Sequence, residues 1–545
     1  MPHDFGRGRP VRISRAPGRL DVMGGIAEYT GSLVCQTTLG LAASVALSPR
    51  NDRDVQVFSF NLLDENQPFT ARIPLDALAS VSADALRADL AQAGRRWVGY
   101  FFGCLCMLHQ RGLVELANPQ LRGLNLAVLS TVPMGAGVGS SAAIEVAVML
   151  NLLDHFGVRD RLNPLELSSL CQQIENRIVG APCGIMDPVA CCLGRERELL
   201  RLLCQPHELS PGLPVPPKIR VVGIHSAVRH PDADARYART RCAAFMGHAM
   251  ILRRMRDMAG AHAVQPSQPC SPDRRGEAAA SGASVLAGPE CQTVYAAGRP
   301  ARTRPPLGSA DPMRGYLANL DQDDYKSLFR PLLPEVIKGS EFLDRFGGDA
   351  QLLGNIIWPE DRHPARIREG SGHEVESQML REHARHDSQF IPAIDPDTEY
   401  HVQQAADHHV LEARRVRQFV GFLEQAARHE IGSRPRMLAL DKAGHLMYAS
   451  HISYANDALL GAPECDLLVK LVRDRERAGF YGARITGRGC GGMVAVLCNE
   501  SDRTGAALEA IMAEYQKQTG KTPSLLAGTS PGAWHVGTAL VYPTN

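Results

Sequence analysis

The chain of 545 residues is long enough for two or more domains and a large buried core. Its 44% apolar and 21% charged residues are typical of a globular protein, and its net charge of +1 provides no bulk attraction to nucleic acid or anionic membranes. No apolar run approaches the roughly 18 residues of a membrane span, and the N-terminal stretch MPHDFGRGRP lacks the apolar segment of a secretion signal.

Cysteine usage indicates a reducing compartment. The 14 cysteines are spread along the chain and form no Cys-x-x-Cys pair, so the close spacing of zinc ligands is missing. Most of them are therefore predicted to be small buried apolar residues. We expect a cytoplasmic protein with neither nucleic acid nor a membrane as a partner.

The N-terminal part of the chain predicts strands followed by two helices. Residues 11–48 read as strand-rich, and 121–131 predict a strand that enters a glycine-rich turn. A helix is predicted over 140–157, with serine at its start and glycine at its end. A second helix is predicted over 163–179, with Asn163 as its cap and proline in its first turn.

The composition changes at residues 260–311. This segment is dense in Pro, Gly, Ser and Ala and poor in large apolar residues, so it cannot bury enough surface to offset the entropy of ordering. We expect a flexible insertion there.

Helices and strands alternate in the last part of the chain, which predicts a small α/β sandwich. The predicted elements are, in order, helix 408–430, helix 456–478, strand GARIT, strand MVAVLC, helix 503–518 and the terminal strand WHVGTALVY.

The strongest local signal is VPMGAGVGSSAAIEVA, residues 132–147. A strand runs into three glycines, at 135, 137 and 139, and a helix opens at Ser140 and Ser141. Helix N-termini expose unpaired N–H groups that bind phosphate, and glycine lets the backbone approach closely. The turn has no lysine for a Walker A loop, and Ser140 stands where a dinucleotide fingerprint needs glycine. Phosphate binding and a purely structural turn both remain open from this stretch alone.

Two further segments carry weaker signals. Residues 482–497, GARITGRGCGGMVAVL, place a glycine-rich turn between two strands, for which a hairpin is the simpler interpretation. Residues 171–194 place Glu175 on a helix and Asp187 in a tight turn, where an isolated Asp is usually a helix cap.

Taken together, these segments resemble the GHMP small-molecule kinases, and in particular their galactokinase branch. APGR with the glycine-containing loop that follows it resembles the family's first motif, PMGAGVGSSAA its second and GARITGRGCGG its third. GAPCGIMD, SAVRHPDADARYARTR and SPGAWHVG add to the resemblance, which spans nearly the whole chain outside 260–311. It implies an α/β (α+β) fold of two domains, 11–220 and 221–545, with the active site in the cleft between them.

The resemblance also implies an activity and a set of site residues. The reaction would be ATP-dependent phosphorylation of the anomeric hydroxyl of a monosaccharide, with Asp187 as the base, Arg19 beside it, and Mg²⁺ as the cofactor at Ser141 and Glu175. The ATP-binding residues implied are Pro133, Gly135, Gly137, Gly139, Ser140, Ser141 and Ala142. The substrate-binding residues implied are Gly25, Glu28, Gly184, Tyr237 and Gly489.

The sugar loop differs from the galactokinase pattern. Those enzymes carry Gly-Glu-His-Thr-Asp-Tyr where this chain has Gly-Gly-Ile-Ala-Glu-Tyr at 24–29. In that family the Glu reaches the C6 hydroxyl, which L-arabinose lacks, so Gly25 removes an acceptor that would stay unsatisfied. L-Arabinose is the favoured sugar on this basis, although Gly25 could simply accommodate a different turn. A galactokinase, a uronic-acid kinase and an inactive sugar sensor are the alternatives.

Three other positions depart from the family pattern. Pro188 stands where the family usually has Gln, and Arg488 and Cys490 interrupt the small residues of the third motif. Arg488 could either reach a phosphate or face solvent. The oligomeric state, monomer or homodimer, is open.

Overall fold

The computed structural model of the chain describes residue 5 and residues 10–181, 183–205, 207–263, 313–346, 367–368, 374–375 and 394–542. The insertion predicted at 260–311 lies outside the described residues from 264 onwards. None of the helices within these ranges combines the length and the apolarity that crossing a membrane requires.

The larger of the two main sheets has ten strands. They are β1 (Val11–Met23), β2 (Leu33–Pro49), β3 (Asp54–Ser59), β4 (Thr70–Pro74), β5 (Leu124–Ser130), β6 (Glu198–Leu203), β7 (Glu208–Pro214), β10 (Ile367–Arg368), β11 (Glu374–Val375) and β16 (Thr538–Val541). The order is β11-β10-β7-β6-β2-β5-β3-β4, and β1 pairs with β2 and β16. The predicted strands at 11–48 and 121–131 are thus confirmed, with a 3-10 turn between the first two.

Helices of the N-terminal half pack against this sheet. They are α1 (Phe60–Asp64), α2 (Leu75–Ser80), α3 (Ala83–Gln92), α4 (Gly99–Gln110), α5 (Ser140–Phe156), α6 (Pro164–Gln173) and α7 (Met186–Leu193). Buried Asn151 fastens α5 to the sheet, because its amide donates to the Val45 carbonyl at 3.0 Å. The start of the first predicted helix and the Asn163 cap are confirmed, the latter as a capping box with Glu166. After α6 the backbone widens into a π-helix, Ile174–Val179.

The second main sheet has the order β13-β14-β8-β15, with β8 (Ile219–Arg229), β13 (Phe480–Ile485), β14 (Gly491–Asn499) and β15 (Ser524–Leu526). β13 and β14 form an antiparallel hairpin around the third glycine-rich turn. A Cβ on Gly482 would overlap the backbone of Gly444, so glycine at both positions allows a helix to lie directly on β13.

The remaining elements complete the helical part of the C-terminal half. They are α8 (Ala233–Ala263), α9 (Gln322–Asp324), α10 (Gly339–Phe346), α11 (Val402–Arg428), α12 (Arg434–Asn456), α13 (Pro463–Arg473), α14 (Asp502–Thr519), α15 (Ala533–Val536), and a small antiparallel pair, β9 (Ile337–Lys338) with β12 (Glu399–Tyr400). The helix predicted at 408–430 corresponds to α11 and the one at 503–518 to α14.

Two predicted elements are wrong. The helix predicted over 456–478 is instead the end of α12 followed by α13, because Leu459 adopts a positive φ of 58° and Pro463 opens a new helix. The predicted terminal strand begins as helix α15 and becomes β16 only after Gly537. β16 pairs with β1 and so returns to the larger sheet. The division into domains at residue 220 stays a prediction.

Candidate active site

The glycine-rich turn before α5 packs against the glycine-rich turn of the β13–β14 hairpin. A Cβ on Gly487 would lie 2.7 Å from the Gly137 carbonyl oxygen, and one on Gly492 would lie 2.7 Å from the carbonyl oxygen of Ala136. Only glycine permits two backbones to approach this closely. The second and third motifs, which are far apart in sequence, therefore meet at one place.

Arg19 of β1 joins the same place to Asp187. Its Nε and Nη2 donate to the two carboxylate oxygens of Asp187, both at 2.7 Å, and its Nη1 donates to the Gly137 carbonyl at 2.5 Å. The first turn of α7 contains Asp187, so the prediction of a tight turn at this position is wrong. Through Arg19, Asp187 is thus held next to the glycine-rich turn.

The Asp187 carboxylate stabilises the positive charge of Arg19. Burial of Arg19 works against its charge, but the carboxylate of Asp187 outweighs that effect and raises the guanidinium pKa. The Asp187 side chain is 20% exposed, whereas Arg19 is buried. A ligand can therefore reach the carboxylate while the guanidinium holds it from behind.

Ser141 and Glu175 form the second predicted pair. The Ser141 hydroxyl, one residue into α5, donates to Glu175 Oε1 at 2.9 Å. Glu175 is buried in the π-helix, and burial raises its pKa despite the positive charge of Arg488, whose Nη2 lies 3.9 Å from Oε1. No group of three or more His, Cys, Asp or Glu side chains within the described ranges could hold a metal ion. A cation at Ser141 and Glu175 would thus take its remaining ligands from phosphate and water.

Glu28 lies beside Asp187 on the other side. Its Oε2 accepts a hydrogen bond from the Met186 N–H at 3.0 Å, and a Cβ on Gly184 would overlap its carboxylate. Burial and the nearby charge of Asp187 raise the pKa of Glu28 to about 8, against the opposing effects of Met186 and Arg19. Glu28 therefore holds its proton more tightly than a free carboxyl does, and the protonated form can donate a hydrogen bond.

Aromatic side chains enclose this region. Tyr237, in the first turns of α8, is buried and meets Tyr29 edge-on, with ring centroids 6.3 Å apart. The Arg488 guanidinium lies 5.3 Å from the Tyr237 ring centroid. The structure thus brings Tyr237 and Arg488 together.

Gly25 has a conformational reason to be glycine. Its φ is +45°, and a Cβ there would overlap the hydroxyl of Tyr454 from α12. That hydroxyl accepts from the Ile26 N–H at 3.0 Å and donates to the Gly487 carbonyl at 3.0 Å. The sugar loop is therefore tied to the third motif. Gly489 also has a packing reason, since a Cβ there would lie 2.5 Å from the Leu460 carbonyl oxygen.

Four structurally important residues were missed by the sequence reasoning. Tyr454 sits in an ordinary helix and gives no signal. Asp21 and Arg484 form an ion pair at 2.8 Å in which both side chains are fully buried. The signal available for Asp21 was a lone charge in the otherwise apolar end of β1. Arg229 Nη1 also lies 2.9 Å from where a Gly135 Cβ would be.

Comparisons with known proteins show similarity to one family of kinases. Two family models match the chain, GHMP kinases N terminal domain over residues 100–195 and GHMP kinases C terminal over residues 437–517. The chain is 30% identical to an L-arabinokinase of Arabidopsis thaliana, over 97% of its own length and 46% of that protein. It is 36% identical to a galactokinase of Chloroflexus aggregans, over 43% of its own length and 53% of that protein. The chain therefore spans about half the length of the curated relatives it matches.

A solved structure supports the fold. The crystal structure of Lactococcus lactis galactokinase complexed with galactose is similar to this chain, with a TM-score of 0.56 and 19% sequence identity, covering 97% of this chain and 95% of that one. The likeness shows a shared fold and confirms the predicted mixed α/β architecture.

Proposed function

The chain belongs to the GHMP kinase family, as a galactokinase-like member, and from this we propose that it transfers the terminal phosphoryl group of ATP to the anomeric hydroxyl of a monosaccharide. The observation that carries the proposal is the Asp187–Arg19 pair, which lies against the glycine-rich turn at the start of α5. This arrangement puts a carboxylate for the sugar next to a backbone suited to phosphate.

The nucleotide would bind at the turn before α5. The backbone N–H groups around residues 135–141 and the positive end of the α5 dipole would favour the oxygens of a triphosphate. Gly135, Gly137 and Gly139 all have positive φ values, between 69° and 76°. This backbone conformation would let the turn approach the phosphates of a nucleotide closely. Pro133, Ser140 and Ala142 belong to the same proposed ATP site.

In the proposed step, the anomeric oxygen attacks the γ-phosphorus while the bond from that phosphorus to the β–γ bridging oxygen breaks. The sugar hydroxyl gives its proton to Asp187, ADP leaves, and Asp187 then releases the proton to solvent. Arg19 holds the carboxylate in place and offsets negative charge on the moving phosphoryl group. Catalysis in such transfers depends on positioning and charge, for which these two residues are suited.

Mg²⁺ fits the second pair of predicted residues. The Ser141 hydroxyl and the Glu175 carboxylate are hard oxygen donors of the kind that Mg²⁺ binds, and both lie next to the proposed phosphate site. When bound, the ion would neutralise charge on the phosphates. The two side chains would hold it through one oxygen each.

L-Arabinose is the sugar we propose. Glu28 would donate a hydrogen bond to a ring hydroxyl. The residues around the sugar would be Gly184, Tyr237 and Gly489. The Tyr454 hydroxyl fills the space that a side chain at position 25 would need. A hexose would need room and a partner for its C6 hydroxyl. The similarity to a plant L-arabinokinase supports the same choice.

All cysteines in the described ranges are buried free thiols, which supports a cytoplasmic setting.

A substrate panel tests the proposal. ADP release would be measured with the purified chain on L-arabinose, D-galactose, D-galacturonate and D-glucuronate, and phosphorus NMR would locate the new phosphate. We expect the highest kcat/KM for L-arabinose and a phosphate on the anomeric oxygen. A higher kcat/KM for D-galactose would refute the choice of sugar, and no sugar-dependent ADP release on any of the four would refute the kinase.

A further inference from the structure

Arg488 is the only charged side chain in the glycine-rich turn between β13 and β14, whose sequence from 486 to 492 is TGRGCGG. It departs from the small residues of the third motif. The functional assignments above give it no role. Its surroundings in the structure decide between the two interpretations left open by the sequence, a phosphate contact and a solvent-facing side chain.

The guanidinium of Arg488 is only loosely held. Its Nη2 lies 3.9 Å from Glu175 Oε1 and its Nη1 lies 3.7 Å from Asp234 Oδ1, both too long for hydrogen bonds. Its Cζ lies over the Tyr237 ring. It makes no hydrogen bond to any residue in the described part of the chain, and its side chain is 38% exposed. All its donors are therefore available to a ligand.

The neighbours of Arg488 place it where the two proposed substrates would meet. Glu175 binds Ser141 at the phosphate end, and Tyr237 lies at the sugar end. Asp234 also pairs with Arg229 at 3.1 Å, and Arg229 lies against Gly135 of the phosphate turn. Besides Arg19, which donates to the Gly137 carbonyl, Arg229 and Arg488 thus lie near the turn, and Arg488 is the one beside the Glu175 carboxylate that would hold the cation.

The charge of Arg488 is retained in this position. Burial opposes it, but the neighbouring Tyr237 and Glu175 outweigh that effect and raise the guanidinium pKa. A guanidinium offers several N–H donors in a planar fork that matches phosphate oxygens. Lysine or a small residue at this position would lack that match.

We propose that Arg488 is a phosphate-binding residue that contacts the terminal phosphoryl group of ATP and leaves its loose pairs with Glu175 and Asp234 when the nucleotide enters. This inference rests on the proposed function, since it assumes that ATP binds at the turn before α5. The movement leaves the Glu175 carboxylate to Ser141 and the cation. During transfer, the guanidinium stabilises the negative charge that spreads over the phosphoryl oxygens.

The test compares nucleotides with and without the terminal phosphate. Calorimetry without sugar would measure the affinity of the β,γ-imido analogue of ATP and of ADP, each with Mg²⁺, for the wild type, Arg488→Ala and Arg488→Lys. Arg72→Ala is the matched control, because Arg72 is an exposed arginine paired with Asp52 and Asp54 on the edge hairpin β3–β4. Thermal unfolding of each variant would verify that it is folded.

We expect Arg488→Ala to weaken the affinity for the ATP analogue at least about tenfold, which is the low end for losing a charge-assisted hydrogen bond. The affinity for ADP should change by less than about threefold. Arg488→Lys should be intermediate and Arg72→Ala unchanged. Equal effects on both nucleotides, or none, in a folded Arg488→Ala variant would overturn this inference and leave the proposed function standing. A wild type that binds neither nucleotide would overturn both.

Discussion

Replacing Asp187 by Asn tests the centre of the proposed mechanism. The change keeps the size of the side chain and one acceptor oxygen, but it removes the negative charge and the proton acceptor. Arg19 then keeps its hydrogen bond to the Gly137 carbonyl and loses one of its two bonds to residue 187. The variant therefore separates the chemistry from the fold.

The magnitudes follow from this geometry. A hydrogen bond to a charged group contributes about 1.5–3 kcal/mol, and Asp187 is partly exposed, so we expect the free energy of unfolding to fall by about 2 kcal/mol. The chain should stay folded, because domains are stable by about 5–15 kcal/mol. Loss of the general base should lower kcat by about 10²–10⁴-fold, equivalent to about 3–5 kcal/mol in the barrier.

The assay is ADP release under saturating ATP and sugar, with urea unfolding of the same preparations. Asp407→Asn is the matched control, since Asp407 also pairs with one arginine through both carboxylate oxygens. Arg330 donates three hydrogen bonds to it, at 2.8, 2.9 and 3.0 Å, and the Tyr325 hydroxyl donates a fourth at 2.7 Å, in a region without a proposed role in catalysis. It should lose comparable stability and keep kcat within about twofold. An Asp187→Asn variant that turns over within about tenfold of the wild type would refute the role of Asp187 as the base.

Three further outcomes are expected. The raised pKa of Glu28 means that the folded chain holds a proton on this carboxyl up to about pH 8. The contribution of this proton to the free energy of unfolding is therefore complete below pH 4.5 and is lost as the pH rises through 8. The KM for sugar should increase as the pH rises through 8, because Glu28 then loses the proton that it would donate to the sugar. Glu28→Gln should abolish this increase, as measured in a KM profile from pH 6.5 to 9.5 with ~ one measurement per half unit. Gly25→Ala should lower the free energy of unfolding by about 1–3 kcal/mol, because the new methyl group overlaps the Tyr454 hydroxyl. Adding Tyr454→Phe should recover part of this loss in a double-mutant cycle. Additive effects of the two substitutions on the free energy of unfolding would contradict the contact. Asp21→Asn should lower the free energy of unfolding, measured in urea, by about 3–5 kcal/mol, because it leaves Arg484 buried and unpaired. A decrease of less than about 1 kcal/mol would show that the ion pair is not formed in solution.

Much of the local structure was predictable because its causes are local. The α6 capping box needs only Asn163 and Glu166, three residues apart, and the positive φ values of the turn before α5 need only glycines in series. The π-helix that carries Glu175 could not be read from the residues, since its pattern is that of an ordinary helix. The break before Pro463 was missed because the positive φ of Leu459 is imposed on a residue that does not prefer it.

The sequence by itself determined the family and the three glycine-rich motifs, because both depend on short runs of residue types. Only the tertiary structure decided what those motifs face. Arg19 meets Asp187 across 168 residues, and Tyr454 reaches the loop at Ile26 across 428. Such contacts depend on how sheets and helices pack, and local residue preferences carry no information about them. The same holds for β16, which packing returns to β1 in the larger sheet.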